Sequence, residues 1–107
     1  VTRKEIESMP FFSECHLEVG DGWLPILRRL GTDMAYSAPS VRAIRVKEKL
    51  GGLRVYFDAQ SETDRKITRE AVGIAERESY KTCEVCGKPG EIKSENGWLK
   101  ARCEGCK

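Results

Sequence analysis

The sequence predicts an α+β fold: a small helix–β-hairpin–helix core over residues 1–80, followed by a zinc-ribbon-like four-cysteine unit over residues 81–107. Three observations predict it. Apolar residues recur at helical spacing over 23–34 and 67–75. They alternate with charged residues over 44–57. Four of the five cysteines stand in two C-x-x-C pairs near the end of the chain.

Thr2-Arg3-Lys4-Glu5 has the spacing of a capping box and opens a short helix over roughly residues 3–9, which Pro10 ends. Residues 11–20 read as irregular or extended. Asp21-Gly22 then precedes a helix whose stripe is Trp23, Ile26, Leu27, Leu30 and Met34. Asp21 suits the N-cap, and Pro25 falls in the first turn, where it costs little. Gly31 weakens or ends this helix, and "TDMAYSAPS" reads as a loop. Two period-2 runs around Gly51-Gly52 make a β-hairpin. One face carries Ile44, Val46, Leu53, Val55 and Phe57, the other Arg45, Lys47, Lys49, Arg54 and Tyr56. Ser61 begins a second long helix, with Asp64 three residues on, whose stripe is Ile67, Ala71, Ile74, Ala75 and Glu78. It runs to about residue 80, with Gly73 as its weak spot.

The tail carries the most specific signal. Cys83 and Cys86 enclose two residues, as do Cys103 and Cys106, and residues 87–102 lie between the pairs. That is a C-x2-C-x(about 15–20)-C-x2-C zinc pattern. A two-residue gap lets a tight turn aim two sulfurs at one point, and Gly87 supplies the permissive backbone after it. The chain goes out through Ile92, turns at Asn96-Gly97 and returns through Trp98 to Ala101, which brings the second pair beside the first. Four thiolates close a tetrahedral shell, so one structural zinc ion is expected, with no open position for catalysis. The metal would also supply folding energy to a segment too short to bury a core of its own.

Other chemistry is less well supported. His16-Leu17-Glu18 with Cys83-Glu-Val-Cys86 imitates the nucleobase-deaminase signature, but Thr82 stands where proline is expected, and a second cysteine pair completes the metal shell. A redox C-x-x-C belongs at a helix start after a strand, in a thioredoxin-like frame. Cys15-His16 reads as a small, partly buried thiol beside a lone histidine. With one histidine and a filled metal shell, no catalytic set is apparent, and the chain reads as a non-enzyme.

Composition bounds the function. Apolar residues make up 39% of the 107 and charged residues 34%, a folded composition without a long apolar run. A net charge of +2 does not describe a strong polyanion binder. The basic excess is local: residues 41–60 hold five Lys and Arg against two Asp and Glu, and residues 81–107 hold six against four. An odd number of cysteines without a secretory signal argues against a disulfide framework and for a cytoplasmic setting. The hairpin face of Arg45, Lys47, Lys49, Arg54 and Tyr56 is the candidate partner-binding surface. It suits phosphates and a stacked base, or an acidic protein surface, and an ordinary solvated sheet face is the plainest alternative. Trp98 is expected to pack the thin ribbon core, with Lys88, Lys93, Lys100 and Arg102 forming a second basic area.

"GDGWLPIL", "VKEKLGGLRVYFDA" and "AERESYKTCEVCGKPG…GWLKARCEGC" together resemble a set of small proteins encoded in bacteriophages and bacterial prophages. The resemblance covers roughly residues 20–107. It departs at Leu50, where the others tend to have an aromatic residue, and in a short loop at 31–40. It implies a phage or prophage accessory protein acting in a bacterial host cell. Small proteins of that kind without an active site often bind a host machine and block it, anti-CRISPR and other anti-defence proteins among them. The expected partner is therefore a host protein or ribonucleoprotein complex that handles nucleic acid; direct binding of nucleic acid by the hairpin and ribbon is the alternative.

Overall fold

The computed structural model describes residues 1–106, an α+β arrangement of three helices, a three-stranded sheet and a two-stranded ribbon. Helix α1 (Arg3–Glu7) starts as the capping box requires, with the Thr2 hydroxyl accepting the Glu5 N–H at 3.2 Å. It is shorter than expected. Pro10–Phe12 forms a 3₁₀ turn that drives Phe11 and Phe12 into the core, ring centroids 4.9 Å apart. Within the stretch read as irregular lies a two-residue strand, β1 (Leu17–Glu18). It exists only through its pairing with the next strand, too short a run to leave a periodicity in the sequence.

Asp21–Trp23 is a second 3₁₀ turn, and α2 (Leu24–Ser37) follows with Pro25 in its first turn. Every residue of the expected stripe is buried. Asp21 is not the N-cap of α2; its carboxylate instead accepts from the Arg3 guanidinium at 2.7 Å. Nor does Gly31 end the helix, which continues to Ser37 and takes in two thirds of the expected loop. Gly31 is where Met9 and Phe12 press against α2: an added Cβ would lie 2.6 Å from Met9 Cε. Its glycine answers tertiary crowding rather than termination.

Strands β2 (Arg42–Lys49) and β3 (Gly52–Asp58) form the antiparallel hairpin, and β1 lies parallel to β2, giving the order β1-β2-β3. Val46 faces Val55, Arg45 faces Tyr56 and Lys47 faces Arg54. Val46, Leu53 and Val55 line the core as expected. Ile44 does not. A bulge between Ala43 and Arg45 shifts the register, turning Ala43 inward and leaving Ile44 59% exposed. The turn is Leu50-Gly51 rather than Gly51-Gly52, both central residues having positive φ (55° and 86°). Gly52 begins β3 instead, where a Cβ would lie 2.5 Å from the Tyr80 ring.

Helix α3 (Glu62–Ser79) is capped by Ser61, whose hydroxyl accepts the Asp64 N–H at 3.1 Å. Its buried line is Thr68, Val72, Ala75 and Ser79; Ile74 is exposed. The difference follows from where α3 sits: it packs along the free edge of β3 as well as on α2. Ser79 Oγ accepts the Leu53 N–H at 2.9 Å and Glu76 Oε2 the Val55 N–H at 3.2 Å. The β1 edge is covered likewise. The Arg3 guanidinium donates to the carbonyls of Leu17 and Val19 at 2.7 and 2.6 Å. Side chains thus occupy edge groups that would otherwise template pairing with another chain.

The ribbon is β4 (Glu91–Glu95) and β5 (Trp98–Arg102), joined by Asn96-Gly97 with φ of 53° and 84°. Both positive values are the type I′ pattern that the dipeptide signals. Ala101 is fully buried in the same apolar cluster as α2 and the sheet, and Ile92 packs against that cluster. Among the described residues no helix is long and apolar enough to cross a membrane.

Candidate metal centre and outer sheet face

The two cysteine pairs meet as their spacing requires. Cys83 N–H donates to Lys88 O at 2.8 Å and Gly87 N–H to Cys83 O at 2.9 Å, which closes the first knuckle. Gly87 has φ 83°, open to glycine without strain. The hairpin delivers the second pair, where Cys106 N–H donates to Cys103 O at 3.3 Å. The four sulfurs all lie within 4.8 Å of one another, those of Cys86 and Cys103 at 3.5 Å. A tetrahedron of thiolates bound at about 2.3 Å has edges of about 3.8 Å, so the cluster fits around one ion with small adjustments. Cys83 and Cys103 are buried, Cys106 is partly so, and Cys86 is exposed.

The electrostatics also favour a cation. Burial alone would push the Cys83 thiol up, but N–H groups of Cys86, Cys103 and Val85 outweigh it and bring it down to about 6. A hydrogen bond from Cys86 holds Cys103 below the usual thiol range. Cys106 is pushed up to about 12, first by Cys103 and then by Cys86. Thiolates gathered this closely repel one another, and a bound metal relieves that repulsion. Cys15 stands apart from the cluster, its thiol 3.7 Å from Phe12 O and pushed up by burial and then by Glu7. Among the described residues, the four tail cysteines are the one group of potential ligands gathered closely enough to hold a metal.

The metal unit is docked on the core through residues whose role the sequence did not show. The Trp23 indole N–H donates to Thr82 O at 2.9 Å. Glu84 accepts from Gly20 N–H through its carboxylate at 2.9 Å and from Gly22 N–H through its carbonyl at 2.8 Å. Neither glycine has space for a side chain. A Cβ on Gly22 would lie 2.1 Å from Cys83 O, and one on Gly20 would lie 2.4 Å from Glu84 O. Gly51, at the tip of the core hairpin, lies against Ile92 and Leu99 of the ribbon. The Gly-Asp-Gly-Trp and Gly-Gly-Leu-Arg stretches are therefore joints between core and ribbon.

On the outer sheet face the register brings the five candidate residues together. Arg45 sits opposite Tyr56, Lys47 opposite Arg54 and Lys49 opposite Gly52. Tyr56 is 45% exposed. Both arginines already have partners. Arg45 Nε lies 3.0 Å from Glu18 Oε2 on β1, and this hydrogen bond holds the Glu18 carboxyl below the usual carboxylate range. Arg54 lies over the Tyr80 ring, 5.9 Å from its centroid. Lys47 and Lys49 have no ion-pair partner among the described residues.

Trp98 is not in the ribbon core. It lies 71% exposed, on the hairpin face opposite Ala101 and Ile92. Of the ribbon cations, Lys93 lies 3.8 Å from Glu104, and Arg102 lies 3.7 Å from Glu84. Comparison of the chain with protein-family models, with curated proteins and with solved structures returns no match.

Proposed function

We propose that this chain is a non-catalytic, zinc-stapled binding protein, of the accessory kind that phages and prophages encode, acting in the bacterial host cytoplasm. In this reading it engages a host nucleic-acid-handling complex through protein contacts and inhibits or redirects it. The metal is zinc because four thiolates at tetrahedral spacing suit that ion, and all four positions are taken by protein, which leaves a structural role. The phage setting rests on the resemblance over residues 20–107.

The observation that carries the choice of a protein partner is the state of the outer sheet face. Arg45 is paired to Glu18 and Arg54 is stacked on Tyr80, with Tyr56 exposed between them. A surface that grips phosphates needs cations free to replace counterions. Here two of the four are engaged internally, and a carboxylate stands among them. Oriented arginines around an exposed tyrosine are the composition of a protein-interface centre.

Affinity capture from the natural host, with bound protein and nucleic acid both identified, tests this. The expected result is one host complex, retained after nuclease treatment and lost with the Arg45→Glu, Lys47→Glu, Tyr56→Ala variant. Direct binding of nucleic acid is the second reading, favoured by the unpaired Lys47 and Lys49. It holds instead if nuclease releases everything captured and the purified chain shifts an oligonucleotide with steep salt dependence.

A further inference from the structure

Among the described residues the sheet edges of the fold are closed, with one exception. Ser79 and Glu76 take N–H groups of the β3 edge, and Arg3 takes a carbonyl of the β1 edge. The β5 edge is closed by the knuckle, where Glu84 N–H donates to Ala101 O at 3.0 Å, and by Gly51, which lies against the Leu99 backbone. The β4 edge is covered only at its approach, where Gly90 N–H donates to Lys81 O at 2.9 Å.

The ribbon turn fixes which groups remain. Across a two-residue turn Glu95 and Trp98 exchange the closing pair of hydrogen bonds, and so, at every second position, do Lys93 with Lys100 and Glu91 with Arg102. Ile92 and Ser94 therefore aim their N–H and C=O groups away from the ribbon. Among the described residues neither meets a backbone partner there. An open edge of this kind is a template for another strand.

The charges on β4 select that strand. Glu91, Lys93 and Glu95 stand on one face of it. Glu91 and Glu95 are exposed and have no ion-pair partner among the described residues. Lys93 faces Lys100 across the ribbon, a like-charged pair that costs stability. Its nearest carboxylate, Glu104, is 3.8 Å away on a side chain 94% exposed. A lone lysine blunts an edge. A lysine between two glutamates instead matches a reversed copy of the same strand.

One register satisfies both charge and backbone. Antiparallel pairing about Lys93 opposes Lys93 to itself and Glu91 to Glu95. Pairing about Ile92 places Ser94 opposite Gly90 of the other copy, whose N–H is already given to Lys81. Pairing about Ser94 sets Lys93 opposite Glu95 twice, by symmetry, and uses the outward groups of both serines. It also brings a carboxylate to the open side of the lysine that faces Lys100.

We infer that the β4 edge pairs with β4 of a second copy of this chain, antiparallel about Ser94, so that two ribbons form one four-stranded sheet in the order β5-β4-β4-β5. The inference goes beyond the proposed function and does not depend on it. The interface is a single strand edge, so the dimer is weak, with Kd expected at about 0.1–1 mM.

Sedimentation equilibrium of the chain as purified, from about 10 µM to about 2 mM, reads the dimer. Exchange of the Ser94 amide should slow over the same range as its N–H enters the new ladder. Lys93→Glu opposes glutamate to glutamate at both contacts, and Glu95→Lys opposes lysine to lysine. Each variant alone is expected to associate at least about tenfold more weakly than the parent. An equimolar mixture should recover the parent's association as a one-to-one pair, since the glutamates of one then meet the lysines of the other. That recovery also shows that both variants fold. A parent chain that stays monomeric at the highest concentration overturns the inference, as does a mixture that recovers nothing. So does self-association that both changes leave intact, which would use another surface. Self-association of Glu95→Lys alone overturns the register about Ser94.

Discussion

The Trp23 indole N–H donates to Thr82 O at 2.9 Å, one residue before the first cysteine of the metal centre. Trp23 is fully buried at the entry to α2, so this bond fixes the cysteine knuckle to the core. Trp23→Phe keeps much of the apolar contact but leaves the Thr82 carbonyl without its donor. The expected cost is about 1 kcal/mol, that of one hydrogen bond lost at a part-buried carbonyl, read from urea unfolding of the metal-loaded chain.

Gly22→Ala tests the same joint by a different route. The added Cβ meets backbone, 2.1 Å from Cys83 O, and no side-chain rotation relieves it. The Gly22 N–H bond to Glu84 O must break as the chains part. A loss of about 3 kcal/mol is expected. Amide exchange should quicken in β4 and β5 before it does in α2. Unchanged protection of the ribbon would mean that the joint is not rigid.

Removal of the metal should act on the same strands. Ribbon residues bury little apolar surface apart from Ala101 and Ile92, so the ion carries much of their folding energy. Chelation, or Cys83→Ser, is expected to abolish protection in β4 and β5 while α2 and α3 keep theirs. Ligation requires thiolates, so acid competes with the ion and metal affinity falls as pH falls. Metal analysis of the purified chain should give about one zinc per molecule; a value below about half would remove the structural-zinc reading.

The features legible in the sequence were those fixed by neighbouring residues. The cysteine spacing, the Asn96-Gly97 turn and the Ser61 cap each encode their geometry within a few positions, and the structure has all three. What stayed hidden was set by distant parts of the chain. Gly31 reads as a helix stop because its local cost is visible and its contact with Met9 is not. Ile44 reads as core because alternation counts residues and cannot see a bulge. Strand β1 has no periodicity to detect, and Trp98 looks like core because tryptophan usually is. Glycines 20 and 22 read as a loop before a helix, although their lack of a side chain is what admits the knuckle.

Ser79 was hidden in the same way, and its role in covering the β3 edge can be measured. Its hydroxyl accepts the Leu53 N–H at 2.9 Å and donates to Glu76 O at 2.6 Å, with Ser79 fully buried. Ser79→Ala leaves the Leu53 N–H without a partner in a site closed to water. The expected loss is about 1–3 kcal/mol. Ser79→Thr restores the hydroxyl but adds a methyl to a packed site, so it should recover only part of the loss.

Leu50→Asn tests the strain at the core hairpin turn. In the folded chain Leu50 holds φ 55°, a region where a branched aliphatic side chain crowds its own backbone. Asparagine tolerates that region, as Asn96 does in the ribbon turn. With Leu50 63% exposed, little buried apolar area is lost in the exchange. The variant should therefore be more stable than the parent by about 1 kcal/mol, with an unchanged denaturant slope. Equal or lower stability would mean that Leu50 serves the turn.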